Sequence, residues 1–230
     1  MAVMNKNFIG LGLLFCSAAI PFVALSQPVH AKSRAANNNE RAEYIFKPGD
    51  TLIALATKYM RNTSDYRIVQ RINRIRDPHD ISIGKKIYVP FELLKYRSSA
   101  ASLNAYRGNI AIAVDGAKRK PQKGLNLEEG ARLTTAAGGS LTLQLEDGSR
   151  ISMPSNSSVR ITRLRHILLT DSIDYEFAVD NGRIRSKITP FEKKMDRYRV
   201  RTPVAISAVR GTDYRTRVDA KTGTVYSETV

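Results

Sequence analysis

Residues 44–60 read YIFKPGDTLIALATKYM, and the order of elements in this stretch decides how the first folded part of the chain is built. Tyr44-Ile45-Phe46 alternate as a short strand, and Pro48-Gly49 turns the chain. Asp50 or Thr51 can then cap a helix whose Leu52, Leu55, Ala56 and Tyr59 recur at helical spacing. A strand that turns through PGDT straight into a helix gathers backbone N–H groups and a short polar side chain at one corner. Corners of that kind hold ligands.

Working outward, a second helix starts near Ser64, presents Ile68, Val69 and Ile72 inward and ends at Asn73, whose amide can satisfy loop backbone groups. The loop RIRDPHDISIG (74–84) leads to a closing strand, KIYVP (86–90). The order is β-α-α-β, with the two strands adjacent and the helices on one face.

These residues resemble the lysin motif (LysM), a peptidoglycan- and chitin-binding module. The resemblance is carried by Tyr44, the PGDTL of residues 48–52, Leu55-Ala56 before Tyr59, Asn73, Asp77-Pro78, Ile81 and Gly84, and the closing Ile87, Val89 and Pro90. It implies a shallow groove for N-acetylglucosamine-containing glycans, with Gly49, Asp50, Thr51 and Leu52 on one side and Asp77, Pro78, His79 and Ile81 on the other. An N-acetyl group offers one N–H, one C=O and a methyl, which suits loop backbone groups beside a small apolar surface such as Leu52 and Ile81. The alternative is that PGDTL builds only a turn and a helix cap. Arg74 and Arg76 flank the groove, either for anionic stem peptides or as solvated charges.

Residues 1–31 read as a cleaved secretory leader: Lys6 precedes an uncharged run from Phe8 to Leu25, and Val29-His30-Ala31 fits a cleavage site. The competing reading is an uncleaved membrane anchor. Cys16 is the only cysteine, so the chain beyond the leader has neither a disulfide nor a thiolate metal site. Residues 32–42 are polar and expected to be disordered, 43–92 form the LysM module, and 93–105 are expected to be a linker. A formal net charge of +16 draws the protein to anionic polymers. An exported protein meets phosphorylated and carboxylated envelope polymers first, so nucleic acid is not an expected partner. No stable membrane span is expected in the mature form.

From residue 106 to 230 the periodicity becomes two, with turn signals at Asp115-Gly116, Glu129-Gly130, Gly138-Gly139, Asp147-Gly148, Asn181-Gly182 and Thr222-Gly223. The expected fold class is therefore α+β overall: a small βααβ module followed by an all-β roll or sandwich. This region resembles the FecR-like domain of bacterial envelope regulators, through LQLEDGSRISMPSNSSV (143–159), Gly182-Arg183-Ile184 and YRVRTPVAISAVRGTDYRTRV (198–218). What the resemblance implies here is a β-domain that binds or scaffolds a partner in the envelope. The pattern ends in mid-strand at GTVYSETV, which suggests that such a domain would continue.

Arg183, Arg185 and Lys187, then Arg197, Arg199 and Arg201, then Arg215 and Arg217 all recur with period two. If those strands pair in register, one sheet face is a basic plate able to dock an envelope protein or an anionic polymer; the alternative is a solvated face whose charges prevent edge pairing. Two histidines beyond the leader, His79 and His166, with no His-Glu-x-x-His, Gly-x-Ser-x-Gly, Ser-x-x-Lys or phosphate-loop pattern, argue against an enzyme, a metal site or a cofactor. The sequence thus points to a non-catalytic protein of the bacterial periplasm or envelope that binds peptidoglycan through its LysM. The alternative is a signalling or adhesin component in which the LysM is only an anchor.

Overall fold

The computed structural model describes residues 41–219 and 221–230. The expected leader (1–31) and most of the expected polar segment (32–40) lie outside the described residues. Strand β1 (Arg41–Ile45) opens the described chain, so residues 41 and 42, expected in the disordered segment, are ordered, and Ala42 is fully buried. Helix α1 (Leu52–Tyr59), a single 3-10 turn, helix α2 (Tyr66–Ile72) and strand β2 (Lys86–Pro90) follow. β1 and β2 pair antiparallel from Arg41↔Pro90 to Ile45↔Lys86.

Local chemistry sets these boundaries. Thr51 is the N-cap of α1, its Oγ1 accepting from the Ala54 N–H at 3.0 Å. Leu52, Leu55 and Ala56 form the buried stripe of that helix. In α2 only Val69 is buried; Ile68, expected to face inward, is 37% exposed, because two turns of helix present a single stripe to the small core. Asn73 ties the end of α2 to β2: its Nδ2 donates to the Val69 and Tyr88 carbonyls, each at 2.8 Å, and its Oδ1 accepts from the Tyr88 N–H at 2.8 Å.

The remaining strands are β3 (Tyr96–Ser98), β4 (Ala101–Arg107), β5 (Ile110–Val114), β6 (Ala117–Arg119), β7 (Asn126–Leu127), β8 (Arg132–Thr135) and β9 (Ser140–Leu145). They continue as β10 (Arg150–Met153), β11 (Ser157–Ile167), β12 (Ser172–Lys187), β13 (Arg197–Arg201), β14 (Ile206–Val209), β15 (Asp213–Asp219) and β16 (Thr224–Thr229). All fourteen belong to one hydrogen-bonded network. Its pivot is β12, sixteen residues long. The first part of β12 lies between β11 and β13, the latter in the sole parallel pairing among the described strands, and its last part lies between β10 and β15. Leu143 and Ile151 from one side and Val159 and Phe177 from the other share one apolar cluster, so the sheet folds over its own core.

Asn181-Gly182, expected as a hairpin turn, lies inside β12. The glycine there bends the strand without reversing it: its φ is +84°, and a Cβ would sit 2.3 Å from the Asn156 carbonyl oxygen and 2.5 Å from the Ser157 Cα. A register shift in the β11–β12 ladder at the same place adds a bulge. Asp115-Gly116, by contrast, is a two-residue hairpin turn with both residues at positive φ, joining β5 to β6.

Residues 93–105, expected as a linker, are folded. Leu94, Ala101 and Leu103 are fully buried, β3 pairs with β11, and Met60 bridges to Leu94. The Lys95 N–H donates to the Tyr59 carbonyl at 2.7 Å, and Ile167 of β11 belongs to the core of the β1–α1–α2–β2 unit. Glu43 of β1 bonds both Lys86, at 3.3 Å, and Lys194, at 2.9 Å. The two units are joined by shared packing that alternating apolar residues in a short polar-looking stretch do not reveal.

Gly182→Ala is expected to cost about 3 kcal/mol or more, since left-handed backbone strain and overpacking add. Gly116→Ala, at a φ of +78° with nothing within 4 Å of the added Cβ, carries the strain alone, about 1 kcal/mol. Urea unfolding midpoints of the two variants check this; equal shifts would mean that β12 yields at residue 182.

Candidate functional site

The corner at residues 47–51 is a turn closed by the Asp50 N–H donating to the Lys47 carbonyl at 3.1 Å, with Gly49 at a φ of +82°. Asp50 fixes it further: one carboxylate oxygen accepts from the Tyr44 hydroxyl and from the Lys47 N–H, both at 2.7 Å. Burial and the Asp50 carboxylate hold the Tyr44 phenol well above its usual range, so it stays a donor. Across from this corner, the Asp77 Oδ1 accepts from the His79 N–H at 2.8 Å, and a second turn places Gly84 at a φ of +83°. The Gly84 N–H donates to the Phe46 carbonyl at 2.8 Å and the Phe46 N–H to the Lys85 carbonyl at 3.0 Å, which extends the β1–β2 ladder beyond Ile45↔Lys86. Both loops therefore leave the same end of the two-stranded sheet.

Of the eight expected groove residues, Gly49, Thr51, Asp77 and His79 are exposed, and Asp50, Pro78 and Ile81 are half-buried. Leu52 is fully buried in the core, so it cannot supply the apolar wall expected of it. Apolar surface at these loops comes instead from Ile53, 41% exposed in the first turn of α1, and Ile83, 68% exposed in the turn before β2. Ile53 was legible as the residue off the 52, 55, 56 stripe; Ile83 carried no signal in a loop without periodicity.

The eight cations of the expected plate separate into two groups. On β13 they face acids. Parallel pairing sets Asp174 opposite Arg197 and Glu176 opposite Arg199. Asp174 then binds Arg197 at 2.9 Å and Arg199 at 3.0 Å, while Glu176 binds Arg199 at 3.2 Å and Arg201 at 2.9 Å. Arg197 also stacks on Phe91, its guanidinium carbon 3.7 Å from the ring centroid. The Asp174 and Glu176 side chains are only 2% and 3% exposed. Burial alone would raise Glu176, yet Arg201, Arg199 and Arg163 together hold it below the ordinary carboxylate range. Burial pulls Arg199 below its usual value. Arg197 and Arg199 are largely buried in this ion network and Arg201, its side chain 43% exposed, lies at its rim, so the β13 cations are already paired with acids of the same chain. Arg183, Arg185 and Lys187 of β12 and Arg215 and Arg217 of β15 remain exposed.

Arg199→Met is expected to destabilise the protein by about 3–5 kcal/mol, because it leaves two buried carboxylates under-compensated. Arg183→Gln should change stability by less than about 0.5 kcal/mol. Glu176 is held below its ordinary 4.5 in the folded chain, so its stabilisation is present above that value and is lost as pH falls through the lowered folded value. In Arg199→Met that pKa should rise, moving the acid-induced loss to higher pH. Urea unfolding between neutral and acidic pH reads both effects; identical pH profiles would remove the network from the stability of the fold.

Comparison with known proteins places this geometry. Residues 44–90 match the LysM domain family and residues 131–230 match the FecR protein family. A curated relative, LysM domain-containing GPI-anchored protein 2 of Arabidopsis thaliana, is 25% identical over 185 residues, covering 78% of this chain and 52% of its own length. The chain thus spans about half the length of that relative. No solved structure matches. The β-region match begins at Ala131, immediately before β8, while residues 91–130 fall between the two matches. The chain carries a LysM domain followed by a FecR domain, in that order.

Proposed function

We propose that this is an exported protein of the bacterial envelope that binds N-acetylglucosamine-containing peptidoglycan at the loop pair 47–51 and 77–84 of its LysM domain. The observation that carries this reading is the tie between Phe46 and residues 84–85, which sets two loops of exposed backbone side by side with Ile53 and Ile83 at their edges. Gly49, Thr51, Asp77 and His79 would meet the sugar, Pro78 and Ile81 would support the second loop, and Asp50 would hold the first in shape. Leu52 acts from below, through the core. LysM and FecR domains bind or signal and are not catalysts, so the reading is a non-catalytic one.

The FecR match favours envelope signalling as the role of the β-domain. In that reading the shared packing around Ile167, Phe91 and Leu94 gives glycan engagement a stiff connection to the β-domain. No described helix is long and apolar enough to cross a membrane.

Gly49→Val tests the site. Nothing lies within 4 Å of a Cβ built there, so the variant should fold with only backbone strain, while its side chain adds bulk to the loop proposed to meet the sugar. Co-sedimentation with purified sacculi is expected to weaken at least about tenfold, the cost of one lost close contact. Gly116→Val, equally strained and equally uncrowded in the β5–β6 turn, should sediment like the parent. Matching losses in both variants, or none in Gly49→Val, would remove the loop pair as the glycan site.

A further inference from the structure

Arg183 and Arg185 of β12 and Arg215 and Arg217 of β15 line a cleft of about 770 Å³ that crosses β9, β10, β12, β15 and β16. The ladders set its residues in transverse rows. In one row Thr142, Ser152, Arg185, Arg215 and Glu228 stand opposite one another in succession. Charge there is balanced: the Arg185 Nε bonds Asp213 at 2.9 Å, and the Arg215 Nη1 reaches Glu228 at 3.3 Å.

The next row sets Arg183 directly opposite Arg217, and Arg217 opposite Tyr226. Among the described residues neither Arg183 nor Arg217 makes an ion pair or a side-chain hydrogen bond. Asp219, which feels the field of Arg217, is held by the Lys221 and Thr222 N–H groups. Like charges directly opposite each other on paired strands are destabilising. The β13 arginines show the alternative, each balanced by a buried acid. An arginine pair that faces a cleft with no ion-pair partner of its own among the described residues is arranged to meet an anion from outside.

The rest of the lining indicates which anion. Tyr226 is 63% exposed beside Arg217, and the hydroxyls of Ser140, Thr142 and Ser152 line the opposite side. An aromatic face covers the C–H face of a sugar ring, hydroxyls exchange hydrogen bonds with sugar hydroxyls, and the guanidinium fork matches a carboxylate. Five strands at about 4.8 Å spacing give a reach of roughly 19 Å, enough for several sugar residues. We propose that this cleft binds an acidic glycan, a polysaccharide carrying carboxylates, with Arg183 and Arg217 gripping a carboxylate and Tyr226 packing on a neighbouring ring. This second site lies on the β-domain and does not depend on the glycan reading of the LysM loops.

Calorimetric titration of the chain with an oligogalacturonate tests it. Affinity should fall as salt rises from about 0.1 M to about 1 M. The variant R183Q/R217Q should bind at least about tenfold more weakly, as should Tyr226→Ala to a smaller degree. Removing the like-charge pair should leave the melting temperature of R183Q/R217Q no lower than that of the parent, which separates lost binding from unfolding. The variant K118Q/R119Q removes the same charge from the exposed β6 and should bind like the parent. Equal weakening by the two double variants would show diffuse charge only and overturn the site. So would tighter binding of polyglutamate, or of anionic lipid vesicles, with the same dependence on Arg183 and Arg217; these outcomes would assign the cleft to an acidic protein or a membrane surface.

Discussion

At residue 182 the backbone of β12 lies against Asn156 and Ser157, where the chain enters β11, and no side chain fits between them. That contact lets one strand serve two halves of the sheet. Before it, β12 pairs with β11 and β13; after it, with β10 and β15. Because the bend keeps the ladder nearly unbroken, backbone groups stay satisfied while the sheet turns over its core. Tyr175, Phe177 and Val179 on one side of the bend and Ile184 on the other enter the same apolar cluster. A conventional turn at 181–182 would have ended the strand and separated the two halves.

The bend also sorts the charges. Upstream, β12 carries Asp174 and Glu176, and the parallel approach of β13 brings three arginines onto them. Taking these groups out of water is costly, and the ion pairs with additional hydrogen bonds offset that cost. Thr162 contributes one such bond, its hydroxyl donating to a Glu176 carboxylate oxygen at 3.1 Å. Downstream, β12 carries Arg183, Arg185 and Lys187 opposite Arg217, Arg215 and Asp213. Cations of identical spacing are thus structural on one side of Gly182 and solvent-facing on the other.

The joint between the LysM and the β-domain follows from the same layout. Arg197, positioned by Asp174, stacks on Phe91 of the LysM core, and Ile167 at the end of β11 fills that core from the other side. Tyr96 lies under the Arg165 guanidinium, its ring centroid 4.2 Å from the guanidinium carbon, and Arg165 in turn pairs with Glu129. Neither domain's apolar surface is complete without the other.

The sequence by itself determined what depends on near neighbours. PGDT fixed a turn and a cap because Gly49 accepts positive φ and Thr51 reaches the N–H three residues on; Asn73, the Asp115-Gly116 hairpin and the switch to period two were equally local. Tertiary structure decided what depends on residues far along the chain. Alternation marks Arg197, Arg199 and Arg201 as sharing one face, but only the parallel docking of β13 says that Asp174 and Glu176 lie beneath them. Asn-Gly names a residue pair able to turn, but the backbone at residues 156–157 makes it a bend within a strand. Leu52 and Ile53 are both apolar at the start of α1, and the packing of that helix on the β1–β2 pair decides which is core and which faces solvent. Residues 93–105 look polar because half their side chains face solvent, while Leu94 enters the LysM core with Ile167 and Ala101 and Leu103 enter the β-domain core with Leu143, roles set by partners more than thirty residues away.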